Sequence, residues 1–174
     1  MKTRFLLLLL SITSLSFAQT NLQYYLPDNL KFNPDIPEPS EILGHDIGEY
    51  HITYDKLVKY MEVLAETSDR VSIEITGYSH ELRPRMLVIF TAPENQKNLE
   101  KIREEHLNSI DPTASKSTVR DKFMITQLGY TVHGNEPSGL NAAPIMAYYL
   151  AACENEEVSK MLKKSIILID PCIN

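Results

Sequence analysis

Three segments decide the fold: FMITQLGY at residues 123–130, SGLNAAPIMAYYLAAC at residues 138–153 and SIILID at residues 165–170. The first and third are short apolar runs typical of buried strands, and the second has the length of a helix. A strand, a helix and a second strand in this order predict a βαβ unit, whose ligands lie at the carboxyl ends of the strands. We therefore expect residues 130–133 and 170–174 to share one rim of a sheet.

The rest of the chain supplies helices and a hairpin around this unit. Residues 54–68 carry Leu57, Tyr60, Met61, Leu64 and Ala65 at helical spacing, which predicts an amphipathic helix. Residues 71–75 and 86–90 predict a strand hairpin, and residues 94–107 predict a polar helix. Residues 19–48, rich in proline, predict an extended arm lying on the domain. The fold class is α/β, with a mixed, mostly parallel central sheet and helices on both faces.

The first 18 residues have the features of a cleavable secretory signal. Lys2 and Arg4 precede an apolar run, and small residues end at Ala18. A membrane anchor is the alternative, but the run is far shorter than the ~20 residues that span a bilayer. We expect a secreted or periplasmic protein beginning near Gln19, with no membrane attachment and no lipoprotein cysteine after the cleavage site. The net charge of −6 argues against nucleic acid as a partner.

The sequence HGNE at residues 133–136 is the sharpest chemical feature, because it lies between a predicted strand and a predicted helix. Imidazole nitrogen and carboxylate oxygen are both Zn²⁺ ligands, and a catalytic zinc takes three protein ligands and a water molecule. His133 and Glu136 are therefore candidate metal ligands. The alternative is a surface histidine beside a glutamate that caps a helix, and the pattern by itself is common.

The stretch GYTVHGNEPSG at residues 129–139 closely resembles the first zinc-binding motif of the zinc carboxypeptidases, the family of carboxypeptidases A and B. The resemblance continues in GYSHELRP at residues 77–84 and DPCIN at residues 170–174. Three further segments are similar to a bacterial exported branch of that family: YYLP at residues 24–27, IPEP at residues 36–39 and PENQKNLEKIREEH at residues 93–106. Together these segments cover nearly all of residues 19–174.

The resemblance implies a zinc metallocarboxypeptidase that hydrolyses C-terminal peptide bonds, with peptide or protein C-termini as substrates. It makes His133 and Glu136 the first two ligands of one zinc ion. The family's third ligand, a histidine, its catalytic glutamate and its substrate-carboxylate clamp come later than Asn174, so no catalytic residue is expected within this chain. Residues 49–174 are then the N-terminal portion of the catalytic domain, truncated to about its first half, and we expect this fragment to be inactive alone.

Two other functions remain open at this stage. Amidohydrolases that release acyl groups from small amino acids share the fold and the His-x-x-Glu pair, although they usually lack a signal peptide. A non-catalytic homologue that binds peptide or cell-wall termini is the second alternative.

Several single residues carry further expectations. Arg83 and Arg85 are either carboxylate-binding groups or solvated turn residues, and the other histidines, His45, His51, His80 and His106, are expected to be solvated or structural.

Leu82 stands where the family usually has glycine and would be strained in a left-handed conformation. Pro144 predicts a kink if its helix begins near Ser138, but not if Asn141 is the N-cap. Cys153 and Cys172, at opposite ends of the sheet, are expected to be free thiols.

Overall fold

The computed structural model describes residues 21–113 and 123–174. The proposed signal peptide, residues 1–18, lies outside the described residues. A short 3-10 helix spans Leu22–Tyr25. In chain order the other elements are α1 (Pro39–Leu43), α2 (Tyr54–Thr67), β1 (Val71–Tyr78), β2 (Pro84–Phe90), α3 (Pro93–Gln96), α4 (Leu99–Ile110), β3 (Met124–Gly129), α5 (Pro137–Ala152), α6 (Glu156–Lys164) and β4 (Ser165–Asp170).

The four strands form one mixed sheet in the order β1, β2, β4, β3. Strands β3 and β4 are parallel and are joined through α5 and α6, as the predicted βαβ unit requires. Strands β1 and β2 are antiparallel, and β2 is also antiparallel to β4. The α/β class and the mixed sheet are confirmed. Parallel pairs are nevertheless the minority among these strands, since only β3 and β4 pair in parallel. The antiparallel pairing of β1 with β2 follows from the short turn that joins them.

The main hydrophobic core lies between this sheet and the pair of helices α2 and α5. Helix α2 buries the apolar stripe that the sequence predicts, with Leu57, Tyr60, Met61 and Leu64 fully enclosed. Strands β2 and β4 contribute Phe90 and Ile169. Ile166 is also buried but does not belong to this core. Because strand side chains alternate, it faces away from Ile169. Both faces of β4 are therefore covered.

The proline-rich segment after residue 21 packs onto the domain and contributes Ile36, Leu43 and Ile47 to the same core. Phe32 pairs with Cys153 in an isolated bridge and stacks on Tyr148 at 5.0 Å between ring centroids. The segment is less extended than expected, because Pro39 occupies the first turn of α1 and Glu38 and Glu41 form a reciprocal capping box.

Two details of the helices differ from the sequence-based predictions, and a third decides between two alternatives that the sequence left open. The expected helix over residues 94–107 is two helices, because the Asn98 side chain donates to the carbonyl of Glu94 at 2.8 Å and takes the acceptor that a continuous helix would use. Helix α6 was not predicted. Helix α5 begins at Pro137, so Pro144 lies in its interior, the arrangement for which a kink is expected. Among the described helices, none has the length and apolar content needed to cross a bilayer.

Candidate metal centre

His133 and Glu136 lie in one tight turn between the end of β3 and the start of α5. The backbone N–H of Glu136 donates to the carbonyl of His133 at 3.0 Å, which closes the turn. Glu136 is the N-cap residue of α5, and Pro137 occupies the first helical position as expected. Both side chains are exposed to solvent. The turn thus places two residues with potential zinc-ligating side chains at one exposed position, and their role as metal ligands stays a prediction.

A left-handed residue holds this turn in place. Thr131 has φ 55° and is buried, although a β-branched residue seldom adopts this conformation. Its hydroxyl lies 3.5 Å from the carbonyl oxygen of Pro171. A Cβ atom at Gly139 would lie only 2.6 Å from the backbone nitrogen of Thr131, so α5 approaches the turn as closely as glycine permits. This contact was not predicted from the sequence, in which a glycine near the start of the helix is its one visible signal.

The chain after β4 pairs with the segment that leads into the turn. Tyr130 donates its backbone N–H to Asp170, and Ile173 and Asn174 donate theirs to Tyr130 and Thr131, at 2.9, 3.0 and 3.1 Å. The carbonyl oxygen of Asn174 lies against Gly134, where a Cβ would stand 2.6 Å from it. Residues 130–133 and 170–174 therefore share one rim of the sheet, as expected, and Gly134 lies on it as well.

A cavity of about 710 Å³ opens at this rim. Its walls are residues 51–54, the turn between β1 and β2, residues 172–174, Leu140 and Gly134. Gly134 lies between the two proposed ligands in sequence, so the cavity adjoins the turn that carries them. Its volume is within the ~300–1,000 Å³ that is typical of small-molecule sites.

The charged and titratable groups of the cavity contact one another. The Arg83 guanidinium lies 5.8 Å from the centroid of the Tyr54 ring, and Arg85 forms an ion pair of 3.2 Å with Asp170. Burial raises the pKa of Tyr54, and Cys172 and Asp170 raise it further. Burial also raises the pKa of the Cys172 thiol, with the Asp170 charge as the second cause. The cavity therefore favours the neutral forms of Tyr54 and Cys172.

The remaining histidines lie away from the turn or only line the cavity. His45 is within hydrogen-bond distance of the carbonyl of Asp46, 3.0 Å away, and packs edge-on against Tyr50. His51 and His80 are exposed cavity residues, and His106 is exposed on α4. Within residues 21–113 and 123–174, no three His, Cys, Asp or Glu side chains lie together as a metal site. The assignment of His133 and Glu136 as ligands of one zinc ion therefore stays a prediction, made from their residue types and spacing.

Both cysteines are free, as predicted. Cys153 is buried at the end of α5, whereas Cys172 is half-buried beside the cavity. Leu82 has φ 60°, so the strained conformation expected at this position is present.

Comparison with solved structures supports the fold. No protein-family model matches the chain, and no curated protein sequence matches it either. The crystal structure of carboxypeptidase A from Helicoverpa armigera is similar, with a TM-score of 0.52 and 14% identity over 78% of this chain. Thrombin activatable fibrinolysis inhibitor (TAFI) gives a TM-score of 0.45 at 14% identity, over 71% of this chain and 25% of its own. The chain spans 30% of the length of that carboxypeptidase A, and the similarity shows a carboxypeptidase-like fold.

Proposed function

We propose that this chain is part of an exported zinc metallocarboxypeptidase, in which His133 and Glu136 supply two of the protein ligands of one zinc ion. The observation that carries the proposal is the exposed turn holding both residues at the carboxyl end of β3, within a carboxypeptidase-like fold. A zinc ion bound there would polarise the scissile carbonyl and lower the pKa of a bound water molecule. The substrates are peptide or protein C-termini.

The surrounding residues orient the proposed ligands. Thr131 and Gly139 fix the path of the chain into the turn, and the close contact between Gly134 and Asn174 fixes its far side. The side chain of Asn141 donates to the carbonyl of Pro137 at 2.9 Å and accepts from Gly48 at 2.9 Å, which ties the first turn of α5 to the proline-rich segment. The third zinc ligand, the general base and the group that holds the substrate carboxylate come from residues outside this chain.

Zinc titration of the purified chain tests the assignment. Two protein ligands leave much of the coordination to water, so we expect weak binding and no release of C-terminal residues from peptides. Calorimetry should show at least about a tenfold loss of zinc affinity in His133→Ala and in Glu136→Gln. His106→Ala, which removes an exposed histidine from α4, is the matched control and should leave the affinity unchanged.

Two results would contradict the proposal. One is nanomolar zinc affinity that persists in His133→Ala, and the other is an equal loss of affinity in His106→Ala. Export is tested separately by the N-terminal sequence of the protein recovered from the periplasm or medium, which should begin near Gln19.

A further inference from the structure

The two arginines of the hairpin, Arg83 and Arg85, are not solvated turn residues alone, because both line the cavity beside the proposed zinc turn. They are held in different ways. Asp170 is nearly buried, with 9% of its side chain exposed, and it fixes Arg85 through the ion pair at 3.2 Å. Since a guanidinium has five N–H donors and this pair is formed through one amine nitrogen, Arg85 can present a positioned cation to a ligand.

Arg83 is held more weakly. It pairs with Glu81 at 2.9 Å, but both side chains are more than half exposed, and such surface pairs contribute little to stability. Its guanidinium lies over Tyr54, whose hydroxyl donates to the carbonyl of Pro84. The aromatic ring therefore keeps Arg83 at the cavity wall, while Glu81 is a partner that an incoming carboxylate can replace.

The rest of the lining suits the body of a peptide. Apolar side chains of Ile52, Pro84, Leu140 and Ile173 share the cavity with the two arginines. The charged groups facing it are the two arginines and Glu81, and the exposed side chains of His51 and His80 also line it. A cavity with apolar walls and two guanidinium groups at its edge has the chemistry that recognises a carboxylate attached to an apolar chain.

We propose that this cavity is a substrate subsite that binds an acidic side chain of the peptide through Arg83 and Arg85. The subsite is separate from the clamp for the terminal carboxylate, which the proposed function assigns to residues outside this chain. The inference rests on the proposed function, because the cavity adjoins Gly134 in the turn between His133 and Glu136. It gives the enzyme a preference for peptides that carry glutamate or aspartate near the scissile bond.

Binding of short peptides to the purified chain in zinc-free buffer tests the proposal. The probes are an acetylated tetrapeptide with one glutamate, the same peptide with glutamine, and free glutarate, and their binding is followed by NMR with ¹⁵N-labelled protein. We expect the glutamate peptide to bind more tightly than both other probes, with shifts at residues 51–54 and 79–85. Tighter binding of glutarate than of the glutamate peptide would overturn the peptide assignment, because a site for free dicarboxylates gains nothing from the peptide body.

Two variants with opposite expected effects sharpen the test. Arg83→Gln should weaken binding of the glutamate peptide about fivefold, since it removes one charge-assisted hydrogen bond at a partly solvated site. Glu81→Gln should strengthen the same binding about twofold, because it removes the competing carboxylate. The control is Arg103→Gln, since Arg103 forms a similarly exposed pair with Glu100 on α4, and it should change nothing.

Equal binding of the glutamate and glutamine peptides would overturn the proposal. So would equal losses in Arg83→Gln and Arg103→Gln, because the effect would then be one of net charge. Zinc binding by the wild-type chain is measured separately, because the peptide titrations are made without zinc. A failure of zinc binding with peptide selectivity retained would therefore refute the proposed function and leave the binding subsite standing.

Discussion

The contact between Gly139 and Thr131 predicts that Gly139→Ala destabilises the protein, although alanine is the better helix former. A Cβ at position 139 would lie 2.6 Å from the backbone nitrogen of Thr131, 2.8 Å from its hydroxyl and 2.9 Å from its Cα. Two of these three atoms belong to the backbone, and Thr131 is buried in a left-handed conformation, so the neighbour cannot move aside by a side-chain rotation.

The magnitude follows from two opposing terms. Overpacking costs about 1–3 kcal/mol, whereas replacing glycine by alanine inside a helix gains at most about 1 kcal/mol. Gly139 is the third residue of α5, where the gain is smaller than in the interior. We expect a net loss of about 1–2 kcal/mol, which lowers the urea midpoint by about 0.5–1 M for a slope near 2 kcal/mol/M.

Gly129→Ala is the matched control, because its added Cβ would also meet an atom at 2.6 Å, but that atom is the terminal methyl of Ile173. A flexible side-chain end can move at little cost, so this variant should stay within about 0.5 kcal/mol of the wild type. Urea unfolding followed by circular dichroism measures both. Equal stability of Gly139→Ala and the wild type, or equal losses in the two variants, would refute the packing argument.

Three further predictions follow from the described residues. Leu82→Gly should stabilise the protein by about 0.5–1 kcal/mol, because it relieves a left-handed leucine that is 79% exposed, and an unchanged or lower melting temperature would contradict this. Burial raises the pKa of the Cys172 thiol. Its alkylation by iodoacetamide, followed by peptide mass spectrometry, should therefore have a higher pH midpoint in the folded protein than in urea. Coincident midpoints would contradict the raised pKa. Burial also raises the pKa of Tyr60 and raises that of Tyr148 to about 12, so their contribution to stability is complete below about pH 10 and is lost as pH rises through the folded-state pKa. Urea midpoints between pH 8 and 11 should therefore fall above pH 10, and a flat profile would argue against these shifts.

The sequence predicted the elements whose apolar spacing is regular. Helix α2 and the strands β3 and β4 agree with their expected ranges within a few residues, because each buries a periodic set of side chains. The parallel pairing of β3 with β4, and the shared rim of Asn174 and Gly134, follow from the connection through α5. These parts of the fold depend on local pattern and short-range topology, which a single sequence contains.

Other features depend on contacts that no local pattern reveals. The break between α3 and α4 arises from one side chain, that of Asn98, which competes for a backbone carbonyl. The left-handed Thr131 is imposed by α5 packing against it, against the preference of a β-branched residue. Both are cases in which a tertiary or side-chain contact overrides intrinsic propensity, so composition and periodicity could not predict them.

The cavity is the feature that the sequence predicts least well. The motif at residues 133–136 could be recognised from its spacing, but nothing local connects it with a hairpin more than forty residues earlier in the chain. The connection is made by the antiparallel pairing of β2 with β4, which brings the beginning of β2 to the carboxyl end of β4. Arg85 therefore meets Asp170, and the β1–β2 turn closes the cavity over the rim that carries His133 and Glu136. The antiparallel pairing of β2 with β4, which could not be predicted from the sequence, is therefore what makes the proposed acidic subsite possible.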